Sequence, residues 1–156
     1  MSDTAIRELV ARQLASEDAH VGFDTAVADI PERLRGARAG AHSPWELIEH
    51  MRIAQHDILD FSENPNYKEM NWPQDYWPST PAPPSTAAWD ESLAAFRRDR
   101  EALKQMALDR SRDLTAKIPH GEGQTYLREL LLVADHTAYH VGQLVLVRQS
   151  LGIWKK

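Results

Sequence analysis

The sequence predicts an all-α fold, a four-helix bundle, on three observations. Apolar residues recur at three-to-four spacing in four long segments. No stretch alternates apolar and polar residues with the β-branched enrichment and hairpin turns of strands. The strongest local signals are helix caps. At 156 residues the chain suits one domain over 1–156, large enough to bury roughly 70% of its unfolded surface.

The first helix follows a cap at Ser2 or Asp3, carries Ile6, Leu9, Val10 and Leu14 on one side, and ends near Ser16. A weaker helical piece lies between His20 and Ile30, with Phe23 and Val27 together, until Pro31 stops it. Ser43-Pro44-Trp45-Glu46 reads as a capping box: Ser43 caps, Pro44 is preset at the first helical position and Glu46 reaches back. This second long helix runs to about Ser62, with Leu47, His50/Met51, Ala54, Asp57/Ile58 and Phe61 inward. The third follows Ser85 or Thr86, with Trp89, Leu93, Phe96, Leu103 and Met106 as its stripe, and ends before Pro119. The fourth begins around Thr125 and runs to Gly152, which takes a left-handed conformation at little cost. Its stripe is Val133, His136, His140, Leu144, Val147 and Leu151.

Between the second and third helices, residues 63–84 hold Pro65, Pro73, Pro78, Pro81, Pro83 and Pro84 with Tyr67, Trp72, Tyr76 and Trp77. Each exposed ring forgoes about 1.5–3 kcal/mol of burial energy. The loop is therefore expected to be ordered and packed over one bundle end.

Composition narrows the function. Lys plus Arg is 18 and Asp plus Glu is 23, a net charge of −5 with the signs interleaved. A protein that binds nucleic acid needs a basic stripe, so that partner is excluded. The longest aliphatic stretch, Leu130 to Ala134, is far short of the roughly 20 residues that cross a bilayer, so no membrane is expected. The absence of cysteine excludes disulfides, thiolate metal sites and a cysteine nucleophile. MSDTAIREL has no basic segment followed by an apolar one, which makes the cytoplasm the expected compartment. Dinucleotide-binding and phosphate-binding glycine patterns, a nucleophile elbow and an EF-hand loop are also missing.

The chemistry rests on histidines at core positions. His136 and His140 share one helix face, roughly 6 Å apart along the axis, and suit a single cation. A pair so spaced equally fits hydrogen-bonded core histidines. His50 tips the balance, because it lies inside the apolar stripe of another helix, whereas His56 is rotated by about 600° from it. Three inward imidazoles without a shared partner each carry a desolvation cost of a few kcal/mol, which one divalent cation removes together. Three neutral ligands also leave a position open for water or substrate. Asp57 and Gln143 sit on the same faces, placed to orient an imidazole or a water, or else as ordinary surface residues. His120 and Glu122, in the His120-Gly121-Glu122-Gly123 turn before the last helix, are the acid or base candidates at the bundle mouth. The alternative reading is a polar interhelical turn.

The segments SPWELIEHMRIAQHDIL and DHTAYHVGQLVLVRQSLG resemble the second and fourth helices of the DinB-like, or YfiT-like, metal-dependent family. The resemblance covers residues 3–16 and 43–152 and leaves out the proline-aromatic loop. It implies a divalent metal, nickel or zinc, on His50, His136 and His140, and it favours a homodimer, with apolar surface around Trp154 and the first helix as the interface. It further implies a bacterial-type cytoplasmic enzyme acting on a small molecule. The leading reaction is transfer of a low-molecular-weight thiol to an electrophile, and such a thiol must come from outside a chain without cysteine. The alternatives are hydrolysis of a small ester or amide, and a non-enzymatic metal-binding or partner-binding bundle.

Overall fold

A computed structural model describes residues 3–15 and 17–154. Ser2 and Ser16, named above as cap and end of the first helix, lie outside the described residues. Among the described residues five α-helices follow in order: α1 (Asp3–Gln13), α2 (Phe23–Val27), α3 (Pro44–Glu63), α4 (Thr86–Leu108) and α5 (Tyr126–Ser150). α3 packs between α4 and α5, α1 closes against α4, and the short α2 sits on α5. Among the described residues, β pairing is confined to one isolated bridge, Lys117 to Thr125. The protein is an all-α bundle.

Local chemistry sets the helix starts. At α3, Ser43 Oγ accepts from the Glu46 amide at 3.1 Å while the Glu46 carboxylate accepts from the Ser43 amide at 2.8 Å, and Arg38 pairs with that carboxylate. Ser85 and Thr125 cap α4 and α5 in the same way, accepting from Ala88 and Arg128. Gly152 ends the last helix at φ +71°.

Two boundaries differ from the pattern. The weak second piece shrinks to the five residues of α2, because Asp29 turns the chain at φ 56° and Pro31 opens a separate 3-10 turn over Glu32–Leu34. α4 stops at Leu108, well short of Pro119. There Asp109 accepts from the Ser111 amide and Asp113 from the Thr115 amide, giving the backbone an alternative to helix. Arg7 of α1, buried, donates to the carbonyls of Ala107, Asp109 and Arg112 and so closes the open end of α4.

The core falls into two clusters. One gathers Phe23, Trp45, Leu47, Met51, Phe96 and Leu144 near α2, with Phe23 stacked on Phe96 at 3.7 Å. The other gathers Val10, Leu14, Leu103, Leu130 and Val133 toward the opposite end. By length and composition α5 would suffice to cross a membrane. Here it serves the bundle and buries Glu129, His140 and Arg148.

Cross-helix contacts fix the topology and explain the long loop. Glu49 meets Ser92, His56 meets Asp99 and Glu63 meets Arg112, so α3 and the chain of α4 advance in the same direction. Joining two parallel helices requires a return over the length of α3, about 30 Å for its 20 residues. The 63–84 segment makes that return along the side of α3, where the sequence suggested a cover over one bundle end. Tyr67 and Tyr76 reach Asp57, Trp77 reaches His50 and the Pro81 carbonyl reaches Ser43. The crossover is ordered against α3, with one exception among its aromatics: Trp72 is 68% exposed, tilted against Tyr76.

Candidate metal centre

α5 lies against α3 and brings His136 and His140 opposite His50, so three imidazoles occupy places where the stripes otherwise carry Leu47, Met51, Val133 and Leu144. The His50 Nε2 lies 3.1 Å from His136 Nε2 and 3.1 Å from His140 Nε2. All three side chains present a ligand atom within 4.8 Å of the others. His50 is 2% exposed and His140 7%, while His136 is half-buried.

The protons on two of these rings, His50 and His140, are placed by partner atoms that can only accept. His50 Nδ1 donates to the Tyr76 backbone carbonyl at 2.7 Å. His140 Nδ1 donates to Gln143 Oε1 at 2.7 Å, and the Gln143 amide nitrogen faces the Tyr139 hydroxyl. Each neutral ring is left with a bare lone pair on Nε2, and two of these lone pairs face each other across 3.1 Å. Protonation does not relieve the repulsion at neutral pH, because burial pushes His50 and His136 down to about 4 and lowers His140 as well. A shared cation does relieve it. Ligand nitrogens around a tetrahedral ion at roughly 2.05 Å stand about 3.3 Å apart, and about 2.9 Å apart at right angles. The donor set therefore fits a divalent metal, and imidazole suits zinc and nickel alike.

The comparison with known families decides the kinship. The profile of the DinB superfamily matches residues 16–144, most of the chain and all three histidines. The chain belongs to the DinB superfamily. No curated protein and no solved structure matches it. The match takes in α2 and the crossover, both outside the segments that carried the resemblance by residue, and it leaves out α1.

In this DinB-superfamily bundle Gln143 touches the cluster directly, through His140. Asp57 makes no hydrogen bond to an imidazole. Its two oxygens accept from the hydroxyls of Tyr67 at 2.9 Å and Tyr76 at 2.7 Å, since the returning crossover stands between it and the cluster. His56 points elsewhere, onto Asp99 of α4. His120 and Glu122 are exposed and away from the three histidines; His120 Nε2 donates to the Phe61 carbonyl at 2.6 Å and its ring meets Phe61 edge-on. They line a cavity of ≈ 430 Å³ together with Asp57, Tyr67, Tyr76 and Leu132. Leu132 is one turn from His136 and Asp57 two turns from His50, while none of the three histidines lines the cavity.

Sequence reasoning missed the crossover's part in the centre. Trp77 stacks on His50 at 3.8 Å with 1° between the planes, and His42 stacks on Trp77 at 4.4 Å. The density of aromatics in a proline-rich loop signalled packing but not its target, because a backbone carbonyl such as that of Tyr76 leaves no mark in the sequence.

Proposed function

We propose that this chain is a metal-dependent enzyme that transfers a small external thiol to an electrophilic substrate, with divalent nickel or zinc on His50, His136 and His140. The observation that carries the reading is the pair of bare Nε2 lone pairs 3.1 Å apart, each fixed by an acceptor on its Nδ1 side. A bound divalent cation supplies Lewis-acid stabilisation of developing negative charge and lowers the pKa of a nucleophile beside it. The protein's part is orientation: Tyr76 and Gln143 hold the tautomers, and Trp77 covers the face of His50.

The thiol comes from solution, since the chain has no cysteine. The cavity lined by His120 and Glu122, ≈ 430 Å³, is within the size range of small-molecule sites. With Nε2–H committed to the Phe61 carbonyl, His120 keeps Nδ1 as its basic nitrogen. In the transfer, sulfur bonds to the electrophilic carbon, the leaving group departs with the bonding pair, and the thiol proton passes to His120 Nδ1 or the Glu122 carboxylate. The ionisable lining of that cavity, Asp57, Glu69, His120 and Glu122, also supports hydrolysis of a small ester or amide as a second reading.

Metal-loaded protein incubated with electrophile panels, with and without added low-molecular-weight thiols, tests both readings against His140→Ala. Thiol-dependent turnover that the substitution abolishes is the expected result. Turnover without thiol moves the assignment to hydrolysis, and no turnover in either arm sinks the enzymatic reading.

The expected assembly is a homodimer. Ile6 and Leu9 of α1 and Leu131 and Leu146 of α5 leave apolar surface exposed. Trp154 contributes less than the sequence suggested, because it is half-buried under the Arg148 guanidinium at 4.9 Å. Light scattering at micromolar concentration should report twice the chain mass, and 17.7 kDa would contradict the dimer.

A further inference from the structure

The crossover touches α3 on both sides of a single short stretch. Asp57 anchors it through two tyrosine hydroxyls, Tyr67 at 2.9 Å and Tyr76 at 2.7 Å. The backbone of that same Tyr76 accepts the His50 Nδ1 proton at 2.7 Å, and the next residue, Trp77, lies flat on the His50 ring at 3.8 Å. Apart from its own helix and the two imidazoles it faces, what orients His50 comes from two consecutive residues of the crossover. The segment that carries them has only a 3-10 turn, Gln74–Tyr76, as regular structure. Its place beside His50 depends on side-chain anchors.

We propose that Asp57 is a positioning residue for the metal centre: it clamps Tyr76, and through the Tyr76 carbonyl and the Trp77 ring it sets the orientation of His50. The inference rests on reading the three histidines as a metal site and adds to it a residue that touches none of them. Both carboxylate oxygens are used, one per tyrosine, so the anchor is divided between two points of the crossover ten and nineteen residues away in sequence. In each contact the phenol O–H donates and a carboxylate oxygen accepts. Without Asp57 both hydroxyls lose the carboxylate and keep only their contact with each other, so Tyr76 is held less firmly to α3 and its carbonyl to His50. His50 then samples its other tautomer and other ring rotations, which lowers its fitness as a ligand without removing it. Outer partners of metal ligands typically contribute about 10–100-fold in affinity.

The test is cobalt(II) titration of metal-free protein, followed by visible ligand-field absorption and by competition with a chelating dye. Wild type should take up one equivalent and His50→Ala should not; failure of the wild type to bind overturns the metal reading, and this inference with it. Given that binding, Asp57→Ala should weaken cobalt by about 10–100-fold and alter the absorption band. Tyr76→Phe, which keeps the carbonyl and the ring, should give a smaller loss of the same kind. Asp60→Ala, which removes only the acceptor of Asn64 at the end of α3, should leave affinity unchanged. Leu103→Ala, in the core cluster with α1, should lower the urea midpoint without changing the band. If Asp57→Ala does not fold, Tyr67→Phe and Tyr76→Phe carry the comparison. Wild-type affinity and spectrum in Asp57→Ala, or in both tyrosine variants, would overturn the positioning role while the metal reading stands.

Discussion

Replacing His136 with alanine should abolish stoichiometric uptake of zinc or nickel, weakening binding by two orders of magnitude or more, while leaving the metal-free fold as stable as before or slightly more so. The two halves of this expectation have different causes. Metal binding loses one of three ligands and the charge-free donor set that holds the ion. The metal-free fold loses a desolvated imidazole whose contact with the cluster is the 3.1 Å approach to His50 Nε2, a hydrogen bond that offsets only part of the cost of burying the ring. A purely structural core histidine behaves in the opposite way, since truncating it leaves a cavity and unpaired partners. His50→Ala and His140→Ala should lose the metal as well, with some loss of stability, because their Nδ1 protons satisfy Tyr76 and Gln143. Metal analysis of purified variants beside urea unfolding of the metal-free forms checks this. Unchanged metal content in all three would remove the site.

The second large effect is on acid stability. Metal-free protein should lose stability as pH falls from about 6.5 to about 4, the window between the ordinary imidazole value and the values to which burial pushes His50 and His136. In that interval the unfolded chain binds protons that the folded chain refuses, so protonation favours unfolding. Stability is complete above the upper limit, and the loss saturates below the lower one. For two such groups the change is on the order of several kcal/mol. The carboxylate of Glu46, held low chiefly by its hydrogen bond to Arg38, adds its own loss only as pH nears the ordinary carboxylate value of 4.5, at the foot of this window. Urea midpoints of metal-free protein at intervals between pH 7.5 and 4 should fall steeply, and those of His136→Ala less so. Identical profiles for the two proteins would contradict the account.

Much of this was legible in the residues because it is written locally. The capping box at Ser43, the glycine at 152 and the stripes of α3 and α5 each depend on side chains within a turn or two of one another, and periodicity exposes such relations directly. The three histidines stood out for the same reason: each interrupts an apolar stripe at a position that the helix period assigns inward. Where α4 would end was less legible. Asp109 and Asp113 compete for backbone amides there, and the arginine that closes the helix, Arg7, lies a hundred residues away on a polar-looking position of α1. The crossover's aromatics indicated that it packs, and nothing in their order said where.

The sequence by itself determined that the chain is helical and which three imidazoles point inward, since both follow from a 3.6-residue period and from the cost of burying polar rings. The tertiary structure alone decided that α3 and α4 run parallel, that the crossover therefore returns along α3, and that Asp57 meets two tyrosines rather than an imidazole. The same return brings a main-chain carbonyl to His50 and a tryptophan onto its face. A backbone carbonyl is common to every residue, so its partner is chosen only by where the folded chain places it.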